Sequence, residues 1–248
     1  MTMDEGEPLW TGEMRGGGGD RPASPDTAPE PLAAICGLGR DIRLQTPGGP
    51  REIRTISRGD VIETSDRGPL PVLWIARARL SRELLMRRPD LRPIRIRRGM
   101  LGAGLPRRDL VLAAHQRLVL ADPALVRLAG VPAALVPASS LLALPGVERL
   151  PPNRGWSVFH LLLPFHALMI AEGCLSESLS GASAASLGPD LPVRTDGLPL
   201  CREPVSLPAL PVEVAAAAVA LIEGRQAAGD PPKGAADRPA LRDRQGTG

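Results

Sequence analysis

Aromatic residues are scarce in this 248-residue chain, where they make up 2% of the sequence and tyrosine is absent. A core must therefore be built from aliphatic side chains, and there are too few rings for a base-stacking surface that binds single-stranded nucleic acid. The three cysteines are too few for a disulfide scaffold, and no two have the CxxC spacing of a structural zinc site. GxSxG, P-loop and HExxH motifs are also missing. We expect no cofactor, no bound metal and no nucleic-acid partner.

A signal peptide and a membrane span are lacking as well. The first 30 residues hold seven acidic and two basic residues, whereas a secretory signal needs a basic start and an apolar run. Prolines interrupt the two most apolar windows, 131–147 and 161–171, and both are shorter than the roughly 20 apolar residues of a span. We expect a soluble protein without a membrane partner, either cytoplasmic or exported without an N-terminal signal peptide.

What the sequence does contain divides it into three parts. Residues 1–34 are rich in glycine, proline and acids and are predicted to be a disordered leader. Residues 35–180 consist of short alternating segments separated by turn signals, which predicts a compact all-β domain. Residues 181–248 form an Ala/Pro-rich tail with one predicted helix, about 211–223, that ends at Gly224. This helix is expected to pack on the β domain or to serve as a docking helix.

Alternation of apolar and polar residues locates the strands inside the all-β domain. The predicted strands are 42–45, 52–55, 61–64, 71–79, 93–97, 110–113, 117–120, 134–136, 158–163 and 167–171. One short helix is predicted over 81–88, with Ser81 as its N-cap and Leu84 and Leu85 facing inward. Apolar residues on both faces of the strand around Trp74 predict that this ring is buried on two sides.

Arginine is concentrated in residues 77–108, which hold eleven arginines and two acids. The favoured interpretation is a solvated face, because Ile94 and Ile96 alternate with Arg95 and Arg97 as in a strand with one buried side. A surface for phosphates or for an acidic partner is the alternative.

Four groups of segments follow one another along residues 36–179 in the order of a known family. They are Cys36 with Thr46-Pro47-Gly48-Gly49; Ile56 to Val61 and Thr64 with Pro71 to Ile75; Arg92 to Ile96 with Leu105 to Leu110 and His115; and His160 to Leu162 with His166 to Ser178. Together they resemble the Hint domain family, the module shared by Hedgehog autoprocessing domains and inteins. The likeness is greatest to its bacterial stand-alone branch.

The resemblance implies a self-directed reaction. In the family a cysteine thiol attacks the carbonyl of the preceding residue and converts the peptide bond into a thioester, and a histidine protonates the departing nitrogen. Cys36 and His115 occupy these positions here, 79 residues apart, so cleavage would fall on the Ile35–Cys36 bond. Thiolate is a strong nucleophile and histidine is an acid poised near neutral pH. The substrate would be the chain's own N-terminal segment.

Several positions depart from the family pattern. The T-x-x-H turn has Leu112 in place of the hydroxyl residue, and Gly37 follows the cysteine where a bulky apolar residue is usual. Glu177 and Ser178 stand where inteins have His-Asn, so the asparagine cyclisation that completes splicing has no residue to perform it. Two functions are therefore expected: autoprocessing without splicing, or a catalytically degenerate Hint fold that serves as a binding or structural module for an unknown protein partner.

The candidate residues also have purely structural interpretations. Cys36 can be a small apolar residue at the start of a strand, and His115 lies between apolar segments where a half-buried histidine is common. His160 and His166 would share a strand face some 20 Å apart, too far to chelate one metal, unless Pro164 turns the chain between them. Cys174 and Cys201 are expected to fill space.

Overall fold

Two antiparallel sheets form the body of the protein. A computed structural model describes residues 36–179 and 207–227. Its strands are β1 (Leu38–Gly39), β2 (Arg43–Thr46), β3 (Gly49–Glu52), β4 (Val61–Thr64), β5 (Gly68–Pro71), β6 (Trp74–Leu80), β7 (Ile94–Ile96), β8 (Leu110–Leu112), β9 (Arg117–Ala121), β10 (Ala133–Pro137), β11 (Val147–Arg149), β12 (Trp156–Leu162), β13 (Leu168–Ala171) and β14 (Cys174–Glu177). The first sheet has the order β11-β7-β8-β1-β12-β6, and the second has the order β10-β9-β14-β13-β2-β3, with the β4–β5 hairpin attached to β13. The fold is all-β, as the sequence predicts.

One aliphatic core lies between the two sheets. Leu38, Ile94 and Leu112 reach it from the first sheet and are at most 1% exposed. Leu44 and Ile62 reach it from the second sheet and are fully buried. Burial of such side chains contributes about 1.5–3 kcal/mol each, so aliphatic side chains supply most of the burial energy of a core that also contains Phe159. Arg95 lies between the buried Ile94 and Ile96, which confirms the interpretation of this segment as a strand with one core face.

Three α-helices accompany the sheets in the described part of the chain: α1 (Arg82–Arg87), α2 (Pro123–Ala129) and α3 (Val212–Ala227). The Ser81 hydroxyl accepts a hydrogen bond from the Leu84 N–H at 3.1 Å and caps α1 as predicted. Helix α2 is not among the predicted elements, although Asp122 as N-cap, Pro123 at the first position and left-handed Gly130 at the end are all start and stop signals.

Helix α3 packs on the β domain, which is one of its two expected roles. Ala215, Ala218 and Val219 are fully buried and belong to the main core. The predicted end at Glu223 is wrong, because α3 continues through Gly224 to Ala227. Glycine costs only about 1 kcal/mol inside a helix relative to alanine, so it is not an obligatory stop.

The predicted strand over 52–55 is also wrong. Thr46 pairs with Gly49 across a tight turn, so β3 begins at Gly49 and ends at Glu52. The Thr46 hydroxyl donates to the Gly49 carbonyl at 2.6 Å and closes this turn. Residues 53–55 form a 3₁₀ helix instead. The partner strand in the hairpin ends before it could pair with residue 53. Alternation of apolar and polar residues does not reveal where a partner strand ends.

Trp74 is only partly buried, contrary to the expectation from its apolar neighbours. The predicted strand 71–79 is divided into the end of β5 and the whole of β6. Trp74 starts β6, which is an edge strand of the first sheet and pairs on one side with β12. A ring at the end of an edge strand has neighbours on fewer sides than one in a central strand.

The leader (1–34) and most of the tail lie outside the described residues, so the structure does not test the predictions made for them. Within the described ranges, no helix has both the length and the apolar character needed to cross a membrane.

Candidate active site around Cys36

Cys36 lies two residues before β1, in a central position of the first sheet. The Gly37 carbonyl accepts a hydrogen bond from the Ala113 N–H at 3.0 Å, and β1 pairs with β8 on one side and β12 on the other. Burial, and to a smaller extent the Glu177 carboxylate, raise the pKa of the Cys36 thiol to about 12 against the lowering effect of Arg117. The neutral thiol is therefore strongly favoured at neutral pH.

Gln116 connects the residue after Cys36 to the other end of the domain. The Gly37 N–H donates to Gln116 Oε1 at 2.6 Å. Gln116 Nε2 donates to Ser176 Oγ and to the Glu177 carbonyl, both at 2.9 Å. Gln116 is 3% exposed, so its amide is held by partners on β14 and by Gly37. No motif or spacing in the sequence pointed to this residue.

Gly37 has no room for a side chain. Its φ is +123°, and a Cβ would lie 2.5 Å from Val158 Cγ2 and 2.7 Å from the Phe159 carbonyl oxygen. Glycine therefore replaces the bulky apolar residue usual in the family because the backbone here leaves no room for a side chain.

Glu177 is a buried carboxylate, 5% exposed, whose charge raises the pKa of the Cys36 thiol. Its Oε2 lies 3.3 Å from Arg117 Nη1 and 3.3 Å from His166 Nε2. Arg117 offsets part of the cost of burying the Glu177 charge. Glu177 belongs to the fourth family segment, but the sequence assigned it no role. Its position in that segment is the sequence signal that could have identified Glu177 as a site residue.

His160 contacts the same region from β12. Its Cε1 would lie 3.0 Å from a Cβ on Gly37, and the side chain is 4% exposed. Burial lowers the pKa of His160 to about 4, so the ring is neutral at physiological pH. No cluster of three or more His, Cys, Asp or Glu side chains among the described residues is suited to hold a metal ion.

His115 lies in the turn between β8 and β9, two residues after the Ala113 contact with Gly37. It is half-buried, and burial lowers its pKa, with Arg149 and Arg117 adding to the effect and Asp90 opposing it. Arg117 thus lowers the pKa of both His115 and Cys36. The catalytic roles of the two residues stay predictions.

Removing the charge of Glu177 should make Cys36 more reactive towards alkylation. Glu177→Gln keeps the shape of the side chain but removes one of the causes that raise the pKa of the thiol, so the thiolate fraction increases at any given pH. We expect iodoacetamide to modify Cys36 several-fold faster in this variant. In the wild type the rate should increase about tenfold per pH unit between pH 7 and 10, since a pKa near 12 lies above this range. Mass spectrometry of the Cys36 peptide measures both rates. A rate independent of pH would contradict the raised pKa.

Most of the described chain matches a known protein family. A family model described as the Hint domain matches residues 36–183. No curated protein matches the chain.

Three solved structures to which the chain is similar are inteins. They are the gp41-1 intein (13% identity, 57% of this chain and 98% of that chain, TM-score 0.36), the Msm DnaB1 intein splicing domain bound with zinc (17% identity, 57% and 99%, TM-score 0.35) and the MchDnaB-1 intein (15% identity, 57% and 99%, TM-score 0.35).

Proposed function

The chain belongs to the Hint domain family, and from that premise we propose that it is an autoprocessing domain that cleaves its own Ile35–Cys36 bond by an N–S acyl shift. It acts once, on its own N-terminal segment. The observation that supports this proposal most directly is the arrangement around Cys36. Gln116 fixes the backbone immediately after the scissile bond, and the Glu177 carboxylate acts on the thiol from β14.

The N–S acyl shift needs no co-reactant, and the release of the N-terminal segment consumes one molecule of water or of an added nucleophile. The Cys36 thiol gives its proton to the Glu177 carboxylate while Sγ bonds to the carbonyl carbon of Ile35. The bond between that carbon and the Cys36 nitrogen then breaks, and the nitrogen gains a proton, with His115 as the proposed acid. A thioester and a free amine result. Water or an added nucleophile then attacks the thioester and releases residues 1–35.

The reaction stops at cleavage. Inteins complete splicing through an asparagine whose side-chain amide forms a succinimide, and Glu177 and Ser178 occupy the corresponding positions here. A carboxylate and a hydroxyl cannot form that ring. Ser178 instead accepts a hydrogen bond from the Ala167 N–H at 3.0 Å, which is a structural contact between neighbouring segments.

The second candidate function is a Hint fold without cleavage activity, which serves as a binding or structural module. A specific observation favours it. With the pKa of Cys36 at about 12, roughly one thiol in 10⁵ is ionised at pH 7. The lowered pKa of His115 also leaves this residue mostly neutral, and a neutral imidazole is a poor acid. Cleavage then depends on proton transfer to Glu177 during attack.

Hydroxylamine should release the first 35 residues of the purified full-length protein. Intact mass spectrometry after incubation at pH 7 to 9 measures the loss, because hydroxylamine attacks the thioester faster than water does. Cys36→Ala should abolish release, since the nucleophile is gone, whereas Cys174→Ala should leave it unchanged. Glu177→Gln should slow release at least about tenfold if the carboxylate is the base.

Two outcomes separate the candidates. An unchanged mass after several days would favour the module without cleavage activity and overturn autoprocessing. The other outcome is release that is faster in Glu177→Gln than in the wild type. The protein would then still be autoprocessing, but Glu177 would inhibit the thiol instead of accepting its proton.

A further inference from the structure

An open pocket of about 750 Å³ lies on the outer face of the first sheet, and Cys36 is not part of its lining. The lining comes from the β1–β2 turn, the end of β6, helix α1, strands β7 and β8, and the segment that leads into β12. Arg95 and Val111 line it and alternate along their strands with residues buried in the main core. The pocket therefore lies on the face of the sheet opposite that core.

Arginine dominates the charged lining of this pocket. The charged residues there are Arg40, Arg79, Arg95 and Arg154 with Asp41 and Asp109. Arg95 is paired with Glu148 at 2.6 Å, and Arg40 lies 3.5 Å from Asp41. Asp109 accepts a hydrogen bond from the Arg98 N–H at 3.0 Å. In the part of the chain that the structure describes, Arg79 and Arg154 are the lining arginines without an ion pair, and they outnumber the one lining carboxylate without an ion pair, Asp109.

Arg79 and Arg154 are both exposed, and neither side chain makes an ion pair or a hydrogen bond with any residue that the structure describes. Both line the same pocket, and Arg79 Nε and Nη2 would each lie 3.5 Å from a Cβ on Gly155, the residue that follows Arg154. The half-buried aromatic side chain of Trp156 also lines the pocket. Two unpaired guanidinium groups on one rim match carboxylates, which they bind through paired N–H donors.

A segment with the complementary charge precedes the domain in the same chain. Residues 1–30 contain seven acids and two arginines. Arg40 lies four residues after Cys36, and Glu30 lies six residues before it, so chain lengths of roughly 13 Å and 20 Å separate these residues from Cys36. The acids at Asp26 and Glu30 are therefore within reach of the pocket.

We propose that this pocket binds acidic peptide and that its occupant is the acidic segment of the same chain, residues 1–30. The unpaired guanidinium groups of Arg79 and Arg154 hold carboxylates of this segment, and Trp156 packs against its apolar residues. This binding goes beyond the proposed cleavage and does not require it, because it is a property of the uncleaved chain.

Limited trypsin digestion of the full-length protein tests this binding. Arg15 lies within the acidic segment, and binding of the segment protects the bond after it. Reversing the pocket charge with Arg79→Glu and Arg154→Glu should accelerate cleavage after Arg15 about fivefold at ~20 mM salt and much less at ~500 mM, where surface charges are screened. Mass spectrometry follows this one bond, and circular dichroism checks that each variant is folded.

The matched control reverses two exposed arginines outside the pocket, Arg58→Glu and Arg127→Glu, and changes the net charge equally. It should leave the rate unchanged. Neutralising the segment with Asp26→Asn and Glu30→Gln should also accelerate cleavage, and combining it with the pocket reversal should add little further, because both act on the same contact.

Three results would overturn the proposal. They are equal rates in the wild type and the pocket variant, equal acceleration by the control variant, and full additivity of the two sets of substitutions. If the rates are equal and inorganic phosphate raises the melting temperature of the wild type but not of the pocket variant, the pocket takes a small anion instead.

Discussion

Gly37→Ala should cost the protein a large part of its stability. The φ of +123° is a conformation that costs a residue with a side chain about 1–3 kcal/mol. The added Cβ would also lie 2.7 Å from a backbone oxygen of β12, and overpacking of this kind costs about 1–3 kcal/mol more. Together these costs come to about 2–6 kcal/mol, which at the upper end matches the lower end of the roughly 5–15 kcal/mol that stabilises a whole domain. Urea denaturation should show a midpoint far below that of the wild type, or no folded baseline.

Two other glycines separate the causes of this effect. Gly59 has a φ of +89° but nothing within 4 Å of the position that a methyl group would take, so Gly59→Ala tests backbone strain alone. Gly48 lies outside the positive-φ region, and its nearest contact would be 3.9 Å away, so Gly48→Ala should be close to neutral. A midpoint for Gly37→Ala equal to that of Gly59→Ala would mean that β12 moves to accept the methyl group.

His160 should make the folded protein sensitive to acid. Burial holds the pKa of His160 at about 4 in the folded state, against 6.5 in the unfolded chain. Below pH 6.5 the unfolded chain binds a proton that the folded protein does not bind until about pH 4. The free energy of unfolding is therefore unaffected by protonation of His160 above pH 6.5, and it decreases as the pH falls from 6.5 towards 4. The loss over this range is about 3 kcal/mol.

His160→Leu should remove this pH dependence, because leucine has no proton to bind. The free energy of unfolding is measured in urea at intervals from pH 7 to 4, and the wild type should lose about 3 kcal/mol relative to the variant over this range. Carboxylates titrate in both proteins, so their effects cancel in the difference. His115→Leu is the control, and its difference should be smaller because His115 is only half-buried. Parallel curves for wild type and His160→Leu would show that His160 is not buried in its neutral form.

Local signals in the sequence account for much of the fold. Val61–Thr64 is a strand with the predicted bounds, because alternation and the following glycine turn are both encoded within a few residues. Ser81 caps α1 for the same reason. The order of the four segments, from Cys36 to Ser178, is likewise a property of the sequence, and it indicates the Hint family without any knowledge of strand pairing.

The sequence by itself determined the all-β class, the main turns, the family and the position of Cys36. Only the tertiary structure decided which residues surround that thiol. Gln116 bonds to Gly37 from 79 residues away, and the charge of Glu177, at the far end of the domain, raises the pKa of Cys36. It also decided that Trp74, at the end of an edge strand, is only partly buried. Alternation specifies which face of a strand is apolar, but the neighbours of a strand follow from long-range pairing. Burial and pKa depend on those neighbours.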